Sequence, residues 1–89
     1  ISLSNVYPNP FEKNINFDLS VDKTDYYKIS IFDMTGVELY NLFKDKLEIG
    51  YYSFYWNGIN YEGKELSNGT YFIRIISNGK AMVIPIIKN

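Results

Sequence analysis

The fold class is decided by Leu66-Ser67-Asn68-Gly69-Thr70-Tyr71, a turn that leads into an apolar stretch. A leucine five residues before a tyrosine, with a glycine turn between them, is the pattern of a tyrosine corner in a β-sandwich. The Tyr71 hydroxyl is therefore expected to donate a hydrogen bond to the backbone upstream of Gly69 and to fix the crossing between two sheets. This assigns Tyr71 a structural role and not one as a proton donor.

Apolar and polar residues alternate on both sides of this turn, which predicts half-buried β-strands. The predicted strands are residues 3–6, 15–19, 27–31, 37–40, 50–56, 71–77 and 81–87. About seven short strands at these spacings are typical of an immunoglobulin-like antiparallel β-sandwich, and a chain of 89 residues supports one core. We therefore predict an all-β fold in which residues 1–89 form a single domain.

Two hairpin turns are visible between the strands. Asp33-Met34-Thr35-Gly36 places an aspartate at the first turn position and a glycine where a positive φ is needed. Asn78-Gly79 has the composition of a two-residue hairpin loop. Residues 38–47 are ambiguous, because a loop is favoured there by the flanking strands but a short amphipathic helix is the alternative.

The strand at residues 50–56 carries the heaviest side chains. Its alternation predicts that Trp56 lies at the centre of the core and that Tyr51 and Tyr55 point to solvent. The outward tyrosines, with Tyr26 nearby, could form an aromatic surface that stacks sugars. The alternative is that nine tyrosines cannot all be buried in a small sandwich.

Composition excludes several function classes. The chain has no histidine and no cysteine, which removes the usual general base and soft nucleophile, so we predict no enzyme activity, no cofactor and no metal site. Asn57, Asn60 and Glu62 could offer oxygen ligands to calcium, but turn formation explains the same residues and is favoured. A net charge of −1 without a basic run argues against nucleic acid, and residues 81–87 are too short to span a membrane.

Four motifs occur in a fixed order along the chain. They are Tyr7-Pro8-Asn9-Pro10-Phe11, the Asp33 to Gly36 turn, the 50–58 stretch around Trp56, and the 69–75 stretch with Gly69 and Tyr71. A short apolar strand ending in Lys88-Asn89 follows them. Together they resemble the C-terminal sorting domain of type IX secretion cargo, the Por secretion family, over nearly the whole sequence.

This resemblance implies a non-catalytic address label. The parent protein would cross the inner membrane of a Gram-negative bacterium, and the outer-membrane translocon and its surface signal-processing machinery would then recognise this domain. The domain would be cleaved near or upstream of Ile1, leaving an N-terminal cargo domain at the cell surface or in the medium. The chain begins without Met or a leader, so it is expected to be a piece of a longer secreted protein.

The last strand is the predicted recognition element. Pro85 cannot donate to a central ladder, so this strand is expected at a sheet edge, where unpaired backbone could add to a receptor's sheet. The predicted recognition residues are Ile84, Pro85, Ile86, Ile87, Lys88 and Asn89. Two other functions remain open, an immunoglobulin-like spacer and a carbohydrate-binding accessory domain.

Overall fold

A computed structural model describes residues 1–89 and confirms the all-β prediction. The seven strands are β1 (Ser2–Tyr7), β2 (Ile15–Val21), β3 (Asp25–Phe32), β4 (Glu38–Leu47), β5 (Gly50–Trp56), β6 (Gly69–Ser77) and β7 (Lys80–Lys88). One sheet has the order β1-β2-β5 and the other the order β4-β3-β6-β7, with antiparallel pairing throughout. No helix in the protein is long and apolar enough to cross a membrane.

The core lies between the two sheets and is built from the alternate positions of their strands. β2 and β6 each bury every second residue, and the intervening residues point to solvent. Trp56 is 1% exposed, as predicted, and its indole N–H donates to the Ile59 carbonyl at 3.1 Å. The ring of Phe11 packs against it with the ring centroids 5.7 Å apart. Burial of these two large rings contributes to the apolar core.

β4 corrects the prediction for residues 38–47. The strand predicted at residues 37–40 is confirmed from Glu38 onward, but the favoured loop and the alternative helix are both wrong for the rest, since the strand continues to Leu47 paired with β3. The pairing register shifts twice, between Ile29 and Ser30 and between Ile31 and Phe32. Such irregularities move side chains from one face to the other, so the period-two pattern is lost from the sequence although the strand continues.

Both predicted hairpin turns are confirmed. One carboxylate oxygen of Asp33 accepts hydrogen bonds from the Thr35 N–H at 2.9 Å, the Thr35 hydroxyl at 2.6 Å and the Val37 N–H at 3.0 Å. These bonds, with that of the Thr35 hydroxyl foremost, lower the pKa of Asp33. Gly36 has a φ of +88°, which a residue with a side chain rarely adopts. Asn78 and Gly79 both have positive φ, as a two-residue hairpin loop requires.

The predicted tyrosine corner is confirmed. The Tyr71 hydroxyl donates to the Ser67 carbonyl at 2.6 Å, and burial raises the pKa of this phenol. Two other tyrosines donate in the same way to the carbonyl four residues upstream, Tyr27 to Lys23 at 2.6 Å and Tyr52 to Glu48 at 2.7 Å. The same tyrosine-to-carbonyl hydrogen bond therefore occurs near the start of three strands, β3, β5 and β6.

Candidate recognition site

The last strand, β7, lies at the edge of the four-stranded sheet, as Pro85 predicted. It pairs with β6 alone, and Pro85 lies opposite Phe72 in that pairing. Ile87 directs its N–H away from β6, because that group donates to the Asn9 side chain. Pro85 lies two residues earlier, so its backbone nitrogen also faces away from β6. The N–H that proline lacks would not have bonded to β6, and the sheet therefore loses no hydrogen bond there.

The six predicted recognition residues divide between two faces. Ile84, Ile86 and Lys88 point toward the core side, whereas Pro85, Ile87 and Asn89 are exposed. The difference is large, since Ile86 is 0% and Ile87 45% exposed. The second group therefore offers a partner of the folded domain most of the accessible surface.

Lys88 is the least expected of the inward residues. Its side chain is 5% exposed, and its ammonium group lies 3.6 Å from a carboxylate oxygen of Glu65, which is mostly exposed. A lysine reaches this arrangement by burying its aliphatic stem and directing its charge to the rim. The structure therefore buries the side chain of Lys88, which is one of the predicted recognition residues.

The outer edge of β7 is covered near its end by residues 8–11. The Ile87 N–H donates to the Asn9 side-chain oxygen at 2.9 Å, and the Phe11 N–H donates to the Ile87 carbonyl at 2.8 Å. The Asn89 N–H in turn donates to the Phe11 carbonyl at 2.8 Å. The peptide bonds before Pro8 and Pro10 are cis. The Pro8, Asn9 and Pro10 motif thus places a short parallel bridge against the last strand.

This bridge limits where another strand could pair. Of the outward-facing backbone groups near the end of β7, the N–H and carbonyl of Ile87 and the N–H of Asn89 are bonded to the 8–11 segment, and Pro85 has no N–H to offer. The backbone groups of Ala81 and Val83 face outward like those of Ile87, but the 8–11 segment does not bond to them. Addition of a receptor strand is therefore restricted to the first half of β7, a smaller region than the predicted 81–87.

The outer face of the four-stranded sheet carries a group of apolar side chains beside β7. Phe32, Phe72 and Pro85 form one row across three strands, and Val83 and Ile87 flank it on β7. We call these five residues the recognition face. Val83 is 52% exposed, and next to it a shallow groove of about 390 Å³ runs toward the Asp33 turn. The guanidinium of Arg74 covers one side of this surface, 5.2 Å from the centre of the Phe32 ring.

Two charged neighbours of this face, Lys28 and Glu38, are paired with each other. A carboxylate oxygen of Glu38 lies 3.0 Å from the Lys28 ammonium group, and the Tyr61 hydroxyl donates to the other. The bond from Tyr61, followed by the one from Lys28, lowers the pKa of Glu38. The same bond raises the pKa of Tyr61 to about 12. The Lys28–Glu38 pair is internally compensated, whereas Arg74 has no carboxylate partner, so the recognition face offers a partner apolar contact beside one cation.

The loop after Trp56 uses its polar residues to form a turn. The side-chain oxygen of Asn60 accepts hydrogen bonds from the Glu62 N–H at 2.9 Å and the Lys64 N–H at 3.0 Å. Gly63 has a φ of +76°. This is the geometry of the Asp33 turn with asparagine in place of aspartate, and it engages the oxygen that was considered as a calcium ligand.

One predicted grouping of tyrosines is wrong. Tyr26 is in β3, on the four-stranded sheet, whereas Tyr51 and Tyr55 are in β5 on the opposite sheet. The residue that joins the latter two is Tyr7, which lies opposite Asn16, itself opposite Tyr55. Only the pairing of β1 with β2, which alternation alone does not give, could have identified it.

Comparison with known proteins agrees with this geometry. The family model described as "Secretion system C-terminal sorting domain" matches residues 5–89. Part of dimeric latent PorU from Porphyromonas gingivalis superposes with a TM-score of 0.76 at 20% identity, covering 94% of this chain and 9% of PorU. Part of PorZ, a surface component of the type-IX secretion system of the same bacterium, gives a TM-score of 0.65 at 21% identity, covering 96% of this chain and 11% of PorZ. No curated protein matches the sequence.

Proposed function

The chain belongs to the family of secretion system C-terminal sorting domains, and we propose that the type IX translocon and its associated surface machinery read it through the recognition face. Its function is that of a sorting signal for type IX secretion, which implies export through the outer membrane to the cell surface or the medium. Sorting domains of this family are non-catalytic. What the proposal adds is the surface that is recognised.

We further propose that this domain is the C-terminal part of a larger secreted protein. The chain spans about a tenth of each of the two proteins whose folds it shares. A cargo domain on the N-terminal side would carry whatever activity the parent has. The translocon and the surface signal-processing machinery are then its partners, and the cargo is connected through the end at Ile1.

One observation supports the recognition face most directly. Val83 and Ile87 are 52% and 45% exposed in the middle and at the end of a regular strand, beside the phenyl rings of Phe32 and Phe72. Apolar side chains in a contiguous row gain free energy when a partner covers them, at about 25 cal/mol per Å² of apolar surface removed from water.

The test is a fluorescent reporter with an ordinary signal peptide fused ahead of residues 1–89. It is expressed in hosts with and without a working type IX translocon, and the cells are fractionated. We expect delivery to the surface or medium only where the translocon works. Val83→Lys with Ile87→Lys should reduce that delivery roughly tenfold, because an interface that buries an unpaired charge loses more than about 1.4 kcal/mol.

Ile49→Lys is the matched control, since Ile49 is a 69% exposed isoleucine in the β4–β5 turn. It should leave delivery unchanged. Equal losses in the control and the double variant would refute the recognition face while leaving the sorting function intact. Retention of the unmodified fusion in the periplasm of both hosts would instead favour the spacer function.

Lys88 supplies a second prediction. Because its side chain is buried and its partner Glu65 is mostly exposed, Lys88→Met should keep both the fold and delivery, with a change in unfolding free energy below about 1 kcal/mol. Thermal unfolding and the reporter assay measure the two properties separately. A variant that folds normally but is no longer delivered would mean that the translocon reads the ammonium group.

A further inference from the structure

The outer face of the three-stranded sheet carries three exposed tyrosines at strand positions. Tyr51 is 89% exposed, Tyr7 58% and Tyr55 56%. Strand pairing aligns Tyr7, Asn16 and Tyr55 in one row, and Ser20 and Tyr51 in another. We call these three tyrosines and the residues between them the tyrosine face. It lies on the opposite side of the sandwich from the recognition face.

Packing within the fold does not account for Tyr51. The strand residue paired with Tyr51 is Ser20, and the next one across is Ser2, so a large ring finds no apolar neighbour there to cover. A side chain that stays nine-tenths exposed contributes little burial to stability. The small serines instead leave both sides of the ring open to a ligand.

The middle row of this face is an ordered polar floor. Asp18 accepts hydrogen bonds from the Asn5 amide at 2.8 Å and from the Ser53 hydroxyl at 2.7 Å, one on each oxygen. Both bonds, that of Asn5 first, lower the pKa of Asp18. This row therefore presents fixed amide and hydroxyl groups between the aromatic rings. Its one charged group, the Asp18 carboxylate, already accepts hydrogen bonds from the protein.

The charge of the tyrosine face restricts the class of ligand. The strands β1, β2 and β5 contain no lysine or arginine. The four-stranded sheet, by contrast, contains Lys28, Lys44, Lys46, Arg74, Lys80 and Lys88. A surface with one carboxylate and no cation repels polyanions and suits an uncharged ligand rich in hydroxyl groups.

From these features we propose that the tyrosine face binds an extended neutral polysaccharide of the β-linked glucan type. Tyrosine offers a large, rigid, amphipathic contact area, and the flat faces of successive sugar rings would stack on it while Asn16 and Ser53 bind their hydroxyls. Tyr51 and Tyr55 are four residues apart on one strand, about 13–14 Å, and Tyr7 and Tyr55 are two strands apart, about 9–10 Å. Contact with more than one tyrosine thus requires several linked sugars.

Native affinity electrophoresis in gels that contain soluble barley β-glucan or hydroxyethylcellulose tests this site. The unmodified domain should be retarded in at least one of them. Tyr51→Thr and Tyr55→Thr, which keep a good strand residue but remove the ring, should each weaken binding about tenfold, and the double variant should migrate as in a gel without polysaccharide. Tyr51→Phe should retain most of the binding, since the ring remains.

Tyr26→Thr is the matched control, a 69% exposed tyrosine on the other sheet, and it should bind as the unmodified domain does. Thermal unfolding of each variant confirms that the fold is kept. The site is refuted if the unmodified domain passes every neutral gel without delay, or if Tyr26→Thr loses as much binding as the double variant. Stronger retention by polygalacturonate than by the neutral polymers would refute the assigned class of ligand. None of these results depends on the translocon.

Discussion

Replacing Phe11 with alanine should lower the unfolding free energy of the domain by about 3–5 kcal/mol, the range for removing a buried phenyl ring. Phe11 is 0% exposed and packs against Trp56, and its backbone holds the end of β7. The loss is a large part of the total for a small cysteine-free domain. The melting temperature should fall by at least about 12 °C, because 1 kcal/mol shifts it by about 4–8 °C at this size.

Two milder substitutions separate the contribution of the Phe11 ring to stability from that of the hydrogen bonds between the 8–11 segment and β7. Phe11→Leu keeps most of the buried volume and should cost about 1–2 kcal/mol, so it reports on a folded domain even if the alanine variant unfolds. Asn9→Ala removes only the side-chain acceptor of the Ile87 N–H and should cost about 1 kcal/mol. Urea unfolding followed by tryptophan fluorescence measures all three.

Hydrogen exchange locates the effect within β7. In Asn9→Ala and Phe11→Leu the amides of Ile87 and Asn89 should exchange faster, because they donate to the 8–11 segment, whereas Ile84 pairs with β6 and should keep its protection. Uniform acceleration along β7 would show that the 8–11 segment does not act locally. An unchanged stability in Phe11→Ala would contradict the packing of this ring altogether.

The strand framework could be predicted because it depends on neighbouring residues. Strict alternation of apolar and polar residues in β2 identifies a buried face without knowledge of the partner strand. The spacing of Leu66 and Tyr71 likewise gave the tyrosine corner. The same spacing occurs at Leu47 and Tyr52, where a second such bond forms, so that corner was also present in the sequence.

The site depended on contacts that local patterns do not contain. Asn9 and Ile87 are 78 residues apart and meet only because both sheets are complete. No pattern among residues adjacent in sequence indicates that the 8–11 segment covers the edge of β7 or that Lys88 is buried. Tyr7 joins Tyr55 only through the pairing of β1 and β2, which includes an irregularity before Tyr7. Strand register, more than strand identity, therefore decides which residues share a surface.

Gly58→Ala is the second substitution with a large expected effect, and Gly63→Ala is its matched control. The two glycines have nearly the same φ, +74° and +76°, in the same loop. A Cβ at Gly63 would meet nothing within 4 Å, so the control isolates the cost of positive φ, about 1 kcal/mol. A Cβ at Gly58 would lie 2.9 Å from the Lys13 carbonyl oxygen and 3.7 Å from the Phe11 ring.

The contact at Gly58 is with backbone, so relief requires movement of the chain that follows the 8–11 segment. Overpacking of this kind costs about 1–3 kcal/mol beyond the conformational term, and we expect Gly58→Ala to lose about 3 kcal/mol in total. Urea unfolding of both variants gives the difference directly. If they lose the same amount, the close approach of the loop to Lys13 is not part of the fold. If Gly58→Ala loses more and also speeds exchange at Ile87, the loop after Trp56 and the cover on β7 form one packed unit.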